Sequence, residues 1–335
     1  MSYTHTLGID LHKRTSTWKL LDTNKKVIWS RVVLCSRVSI EEALTMLPVS
    51  LQGLPVALEP VCGWMWVTDI LENKGLEVHI ANPFDLRVIA LSSQKTDSQD
   101  AETLAEFLAM KYLPESWKAT KEIHELRQLT RTRDSLVKAR TKVKNHLEGL
   151  ITQDVEVMNK KTTYIPSTMP LHILEKMILE HTQHIKVFDG IIKKIAEENN
   201  VCKILMTIPK VGPVTAVTVL AEVGDFSRFK NAKRLSGYAG LVPRQRSSGE
   251  KISFGSLTKE GSSYLRTALV ETAMRFRKSD DINLFTFLEE VQERKGKMKG
   301  RVALARKLLT VMYSLVKNET SFIVSSDSMK LGNLV

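Results

Sequence analysis

The sequence predicts an α/β domain with the element order of the ribonuclease-H-like fold, then a long helical middle and a mainly α-helical C-terminal domain. Three strand patterns follow one another between residues 5 and 34. Helical and strand patterns then alternate up to about residue 100, as this fold requires. Over residues 118–146 no Gly or Pro interrupts an amphipathic pattern, which indicates a long helix.

The order of elements in the N-terminal third carries this fold prediction. A polar loop joins the second and third strands as a hairpin. Sugar-kinase and actin-like ATPase domains share the order, but they carry Gly-rich phosphate loops, and no second such loop is found here. The predicted elements are strands at His5–Asp10, Ser16–Asp22 and Val27–Leu34, a helix at Ser39–Leu47, a strand ending at Glu59, a helix at Gly63–Lys74, a strand at 76–80 and a helix beginning within 82–91.

Four carboxylates take defined places in this order. In the predicted fold the first and fourth strands are neighbours, so Asp10 and Glu59 project from the same end of the sheet. Asp97 and Asp100 begin a late helix and share one of its faces. Carboxylates that converge raise one another's pKa unless a cation intervenes, and Mg²⁺ is the usual ion in phosphoryl chemistry. Taken singly, each residue also fits a strand end or a helix cap.

The charge is distributed unevenly along the chain. Residues 1–117 hold 11 basic and 14 acidic residues, whereas the remainder holds 38 basic and 23 acidic residues. The basic remainder predicts a polyanion partner, with nucleic acid first. No apolar run is long enough to span a membrane, no signal peptide is found, and the three cysteines are scattered. We therefore expect a cytoplasmic protein without disulfides or a zinc site.

The middle of the chain predicts a helical hairpin with a basic outer face. Its second helix carries a heptad seam from Leu171 to Ile195, interrupted only by His181, which is expected to find a partner in the seam. The stretch 165–170 is the expected turn, and the pair forms within the chain or with a second subunit. The side chains predicted to contact nucleic acid here are Arg131, Arg133, Arg140 and Lys144.

Two patterns in the C-terminal third predict contacts with phosphate. The stretch IPKVGPVTA resembles a helix-hairpin-helix motif, in which Lys210, Gly212 and the following helix start bind a phosphate; the alternative is a plain helical hairpin. Ser247, Ser248 and Gly249 are expected to form a loop between cations. A basic loop entering an amphipathic helix is expected at 294–307. The further predicted nucleic-acid contacts are Arg244, Arg246, Lys251, Lys259 and Arg266.

Five stretches together resemble the DEDD insertion-sequence transposases of the one-ten family, which also contains a pilin-gene invertase. The resemblance covers nearly the whole chain, in order, and the last stretch is the most specific. The stretch after Glu59 departs from the family pattern without removing a proposed ligand. The five stretches are GIDLHKRT, ALEPVCGW, KTDSQDAETLA, IPKVGPVTA and GYAGLVPRQRSSGEKISFGSLTKEGSSYLRTALVE.

The resemblance implies a RuvC-type catalytic domain whose four acidic residues match Asp10, Glu59, Asp97 and Asp100. It implies a coiled coil that supports a homodimer or a dimer of dimers. It further implies a serine nucleophile that forms a phosphoserine link to DNA, matching Ser248 with Ser247 as its neighbour. The resemblance also implies a structured guide RNA, which selects both the element ends and the target DNA.

The sequence therefore predicts a Mg²⁺-dependent DNA recombinase of an insertion sequence. The rival enzymes are a site-specific invertase with the same residues and a junction-resolving nuclease in which water attacks. A further rival is a catalytically silent nucleic-acid scaffold. The predicted domains are 1–117 (catalytic), 118–200 (coiled coil), 201–320 (serine-bearing) and 321–335 (tail).

Overall fold

The computed structural model describes residues 3–61, 63–83, 85–86, 97–159, 168–248, 251–258 and 260–325. At 97–98, 153–159, 168–170, 245–248 and 251–254 the backbone alone is described. The chain divides into two compact units, Met1–Lys118 and Ala119–Val335. This division lies next to the predicted boundary at 117, and the predicted boundaries at 200 and 320 stay predictions.

A five-stranded mixed sheet forms the centre of the first unit. Its strand order is β3-β2-β1-β4-β5, with β1 antiparallel to β2 and parallel to β4. The predicted adjacency of the first and fourth strands is therefore confirmed, and the sheet is compatible with a ribonuclease-H-like domain. The elements are β1 (Thr6–Leu11), β2 (Thr15–Leu21), β3 (Val27–Leu34), α1 (Arg37–Thr45), β4 (Pro55–Leu58), α2 (Trp64–Asn73), β5 (Glu77–Ile80) and α3 (Asp97–Ala109).

The two faces of this sheet pack against different helices. Leu7 and Ile9 of β1 and Leu58 of β4 belong to one buried cluster, which also contains residues of α1 and α2. Ala57 of β4 lies in a separate cluster with Leu104 and Leu108 of α3. Since alternate strand residues face opposite ways, the apolar alternation of β1 and β4 assigns α1 and α2 to one face and α3 to the other.

Gly8 allows α3 to approach β1 closely. A Cβ atom built on Gly8 would overlap the carbonyl oxygen of Ala101 and lie 2.9 Å from the amide nitrogen of Ala105. Both atoms belong to the α3 backbone and cannot rotate away as a side chain would. Glycine is therefore required here for a close backbone approach. The predicted helix beginning within 82–91 lies largely outside the described residues, which omit 84 and 87–96.

The second unit consists of helices and one β-hairpin. Two long helices begin it, and an Arg133–Asp189 ion pair and an Arg140–Thr182 hydrogen bond show that they run antiparallel. The elements are α4 (Lys121–Asn159), α5 (Thr168–Glu198), α6 (Asn200–Met206), α7 (Pro213–Val223), α8 (Ala232–Tyr238), β6 (Pro243–Ser248), β7 (Lys251–Leu257), α9 (Ser263–Arg275), α10 (Ile282–Lys295) and α11 (Lys297–Asn318).

The long helices form the predicted pair within the chain. Ile185 and Ile192 of the α5 seam are buried. His181 has a hydrogen-bond partner, because its Nδ1 donates to the carbonyl oxygen of Met177 at 2.7 Å. The expected turn at 165–170 was wrong at its end, since α5 already begins at Thr168 and includes Pro170 in its first turn, where proline is tolerated. Residues 165–167 lie outside the described residues. No described helix is both long and apolar enough to cross a membrane.

Helix α7 occupies the centre of the second unit. Every residue from Thr215 to Val223 is buried, which fits a helix that is apolar on nearly all sides. Its neighbours include α4, α5, α6 and α9. The surrounding core contains Leu205, Leu269 and Leu308. The position of α7 means that any polar group on it must find a partner inside the unit.

The Gly8→Ala variant tests the close approach of β1 and α3. We expect it to lower the free energy of unfolding by about 1–3 kcal/mol, because the added methyl group forces α3 outward. Hydrogen exchange in α3 should increase at the same time. The matched control is Gly190→Ala in α5, where a Cβ meets nothing within 4 Å. That change should stabilise by about 1 kcal/mol, and equal effects of the two substitutions would contradict the packing argument.

Candidate active site and nucleic-acid interface

Asp10 and Glu59 lie at the same edge of the sheet. Ile9 of β1 pairs with Leu58 of β4 in parallel register, so the residues that follow each of them are neighbours. Asp10 is 7% exposed and Glu59 is half-buried. Gly8 and Ala57 each lie two residues earlier and face α3. Strand alternation therefore directs both carboxylates to the α3 face of the sheet.

The first turn of α3 carries the other two predicted ligands. The helix begins at Asp97, and Asp100 is half-buried. Ala101, the next residue, is the one whose carbonyl oxygen meets β1 at Gly8. This contact supports the prediction that Asp100 lies near the same edge, and the Asp97 side chain lies outside the described set. Among the described side chains, no three His, Cys, Asp or Glu residues already form a group that could hold a metal.

The donor set at this edge nevertheless fits a hard divalent cation. Carboxylate oxygens are the ligands that Mg²⁺ prefers, and a carboxylate as buried as Asp10 needs a positive partner. An imidazole lies beside it, since Nε2 of His12 is 3.0 Å from Oδ2 of Asp10. Sequence reasoning missed His12. The signal was present, because a histidine two residues beyond a strand-end aspartate can reach back to it across the strand end.

A second missed contact fixes α3 against the sheet. Nζ of Lys19 in β2 lies 2.5 Å from Oε2 of Glu102 in α3, and the Lys19 side chain is 11% exposed. Lys19 pairs with Gly8 across the β1–β2 ladder. The ion pair and the Gly8 contact therefore act on the same turn of α3. No local pattern could reveal this pair, since 83 residues separate its members.

The predicted Ser-Gly loop is instead the end of a β-hairpin. Ser247 and Ser248 are the last residues of β6, and Ser248 pairs with Lys251 of β7. For the two serines the prediction of a loop was wrong, because a polar strand such as PRQRSS lacks the apolar alternation by which strands are recognised. A Gly-X pair between two strands is a hairpin signal. Gly249, Glu250, Lys259 and the side chains of Ser247, Ser248, Arg246 and Lys251 lie outside the described set.

Most of the described cations predicted to bind nucleic acid already contact the protein. Arg133 pairs with Asp189, and Arg140 donates to the hydroxyl of Thr182. Nζ of Lys210 lies 3.1 Å from Oδ1 of Asp280. Arg266 donates to the carbonyl oxygens of Ala239 and Gly261. Lys144 and Arg244 are exposed.

The stretch IPKVGPVTA forms a turn between α6 and α7. Lys210 has a φ of 65° in this turn, the left-handed region that non-glycine residues seldom adopt. Gly212 precedes α7 in extended conformation and provides no side-chain cap, and Pro213 opens the helix. Helix α7 thus begins one or two residues earlier than the predicted Val214 or Thr215.

Arg131 has a structural partner that the sequence did not reveal. Its Nε and Nη2 atoms donate to the two carboxylate oxygens of Glu222, each at 2.8 Å. Glu222 is 1% exposed, and it is the acidic residue of buried helix α7. Hydrogen bonding to Glu222 raises the pKa of Arg131. The guanidinium also lies 4.9 Å from the ring centre of Tyr264.

Other cations cap the C-terminal end of the same helix. Arg127 donates to the carbonyl oxygens of Ala221 and Glu222. Arg228 donates to the carbonyl oxygen of Val223. Cations at a helix C-terminus satisfy its orphan carbonyl groups and oppose the partial negative charge there. Part of the positive charge of this unit thus stabilises its own core.

Two transposase family models match this chain, one in each of the two regions described above. Residues 7–154 match a family described as Transposase, of the DEDD type. Residues 202–289 match the Transposase IS116/IS110/IS902 family. The first match spans the carboxylate edge and the second spans the turn before α7 and the β6–β7 hairpin.

Individual relatives match over most of their length. The chain is 27% identical to the transposase for insertion sequence element IS1111A of Coxiella burnetii, over 94% of this chain and 90% of that protein. It is 24% identical to a probable family 20 transposase of Pseudomonas aeruginosa, over 94% of this chain and 98% of the relative. It is 31% identical to the pilin gene-inverting protein of Moraxella bovis, over 73% and 74% respectively.

The Arg131→Ala variant separates the structural role of Arg131 from nucleic-acid contact. We expect a loss of unfolding free energy of about 2 kcal/mol, because Glu222 is left buried without its bidentate donor. Urea denaturation measures this loss. The control is Lys144→Ala, an exposed change on the same helix that should leave stability within about 0.5 kcal/mol. If both variants were equally stable, the ion pair would have no structural importance.

Proposed function

The chain belongs to the IS110 family of transposases, which are DNA-recombining enzymes, and from that premise we propose that it cuts and joins DNA through a metal-assisted phosphoserine step. The observation that carries the proposal is the β1–β4 register, which sets Asp10 beside Glu59, together with the contact of the α3 backbone with β1 at Gly8. Family membership supports a requirement for a divalent metal, and we propose Mg²⁺.

The metal would be held by Asp10, Glu59, Asp97 and Asp100. When bound, Mg²⁺ polarises the scissile phosphate and stabilises the charge on the attacking and leaving oxygens. The chain's own residues position these ligands: the β1–β4 register aligns Asp10 with Glu59, and Gly8 and Lys19 fix the turn of α3 that carries Asp100. His12 would hold Asp10 in orientation through its Nε2 contact.

Ser248 is the proposed nucleophile. Its Oγ would form a bond to phosphorus while the bond from phosphorus to the leaving strand oxygen breaks, and the serine proton would pass to that leaving oxygen. The hydroxyl of an incoming strand would then displace Ser248 and restore the phosphodiester, so no bond energy is lost and no ATP is needed. The position of Ser248 at the end of β6, with exposed Arg244 on the same strand, supports this role.

Three further assignments complete the proposal. The turn before α7 would act as a helix-hairpin-helix contact to phosphate, through Gly212 and the following amide groups. The α4–α5 pair would extend into a coiled coil that joins subunits of a homodimer or a dimer of dimers. The excess of basic residues after 117 supports binding of a structured guide RNA in addition to DNA.

Site-specific inversion is the second candidate function. A pilin gene-inverting protein is 31% identical to this chain over 74% of its own length, and that specific relationship favours it. Inversion and transposition would share the same carboxylates and serine, and they differ in which DNA ends are joined. Product analysis on a plasmid that carries the flanking sequences of the gene would separate the two.

The adjacent serines offer a matched pair of variants. Because neighbouring strand residues belong to opposite faces, we expect only one of the two serines to meet the substrate. Ser248→Ala should abolish covalent protein–DNA adducts on denaturing gels and abolish recombination, whereas Ser247→Ala should retain both. Cleavage by Ser248→Ala without an adduct would show instead a nuclease that uses water.

Metal removal tests the carboxylate edge. Chelation by EDTA should stop adduct formation, and Mg²⁺ should restore it. Asp10→Asn and Asp97→Asn should each lower the rate about a thousandfold, equivalent to several kcal/mol of lost transition-state stabilisation. The control is Asp69→Asn, an exposed carboxylate on α2 that should keep full activity. Adduct formation in EDTA at the normal rate would contradict the proposal.

A further inference from the structure

A groove beside the β6–β7 hairpin has no place in the function described so far. It has a volume of about 990 Å³. One wall is the base of the hairpin, including Pro243 and Leu257, and the other is the junction of α10 and α11. The groove therefore lies at one end of the hairpin, and Ser248 lies at the other. All of its walls belong to the second unit.

The lining of this groove is strongly cationic. No lining residue is acidic, and in the described part of the chain none of the lining cations takes part in an ion pair. Four of the five are exposed, and Arg306 is half-buried. Arg294 donates its Nε to the carbonyl oxygen of Glu290. The lining cations are Arg294, Lys295, Lys299, Arg306 and Lys307.

The start of α11 adds backbone donors at the same place. The sequence predicts a basic loop entering an amphipathic helix here; the helix is confirmed as α11, but the loop was wrong, since Gly296 alone separates α10 from α11. Gly296 has a φ of 91°, which permits the sharp change of direction, and it provides no side-chain cap. Gly296 therefore leaves the amide groups of the first turn of α11, beside Lys299, without a hydrogen bond from an N-cap side chain.

Most of the remaining lining residues are apolar, and Ser256 and Thr310 are the polar ones. Phe287 and Val291 of α10 and Val302 of α11 contribute to it, and Met298 is 57% exposed. Such a surface offers stacking and van der Waals contact to a planar base. A duplex keeps its bases stacked inside and presents phosphates outside, so it would leave these apolar side chains without a partner. Phosphate-binding cations around an apolar surface fit a strand whose bases are unpaired.

We propose that this groove binds a short unpaired stretch of nucleic acid, with phosphates on the five cations and bases against the apolar side chains. The inference rests on the proposed function in that the strand would belong to the recombining DNA or to the guide RNA. It goes beyond that function by assigning a binding site for unpaired nucleotides to the α10–α11 junction. A strand bound there would continue along the hairpin toward Ser248.

Fluorescence anisotropy on the full chain tests binding at this groove without requiring cleavage or joining of DNA. Labelled oligothymidylate and oligouridylate of about ten nucleotides are the probes, with a duplex of equal length as competitor. The wild-type chain should prefer both single strands to the duplex. The Lys299→Ala/Lys307→Ala double variant should bind them about tenfold more weakly. The slope of log K against log salt should become shallower by about 1.4, or 0.7 for each lost contact.

The matched control is Lys317→Ala, an exposed lysine of α11 outside the groove, which should leave affinity and salt slope unchanged. Tighter binding of oligouridylate would identify the strand as RNA, and tighter binding of oligothymidylate would identify it as DNA. Equal affinity for duplex and single strand, or an unchanged slope in the double variant, would overturn the proposal. Anisotropy measures binding without adduct formation or recombination, so failure of the catalytic proposal stays distinguishable from failure of this one.

Discussion

The close approach of α3 to β1 at Gly8 is the constraint on which the proposed active site depends. The strand register alone brings Asp10 beside Glu59. It cannot bring Asp97 and Asp100 to the same edge, because these residues come from a helix about forty positions further along the chain. A residue with no side chain in the middle of a buried strand allows the helix backbone to touch the sheet, and the Lys19–Glu102 ion pair secures the same turn. The packing of α3 on β1 at Gly8 is thus also what the proposed metal site requires of α3.

The second unit contains a glutamate buried on an apolar helix, and the stability of its core depends on the partners of that glutamate. Glu222 would be costly inside the core without the two hydrogen bonds from Arg131. Arg127 and Arg228 satisfy the backbone carbonyl groups around it. A high content of arginine is therefore not a direct measure of nucleic-acid surface. The cations that are exposed and outside ion pairs lie elsewhere, above all at the α10–α11 junction.

The sequence was sufficient for most elements of the first unit, whereas the convergence of its four carboxylates stays a prediction. Strands β1, β2 and β4 have the apolar character of buried elements, and β3 is largely exposed. The sequence did not reveal the Gly8 contact, because a glycine in a strand indicates close approach without naming the partner. Arg131 and Glu222 are 91 residues apart, so their pairing required the fold. The β6–β7 hairpin escaped notice because β6 is polar, and the α10–α11 junction because Gly296 resembles the start of a loop.

The proposed function requires Asp10, Glu59 and the first turn of α3 to bind one metal ion. Iron-mediated cleavage measures this, because Fe²⁺ bound in place of Mg²⁺ generates radicals that cut the nearest backbone. We expect cuts near residues 10, 59 and 97–100 of the same chain, competed by Mg²⁺ and lost together in Asp10→Asn. Cuts at only one of these segments, or cuts that persist in Asp10→Asn, would contradict a shared metal site.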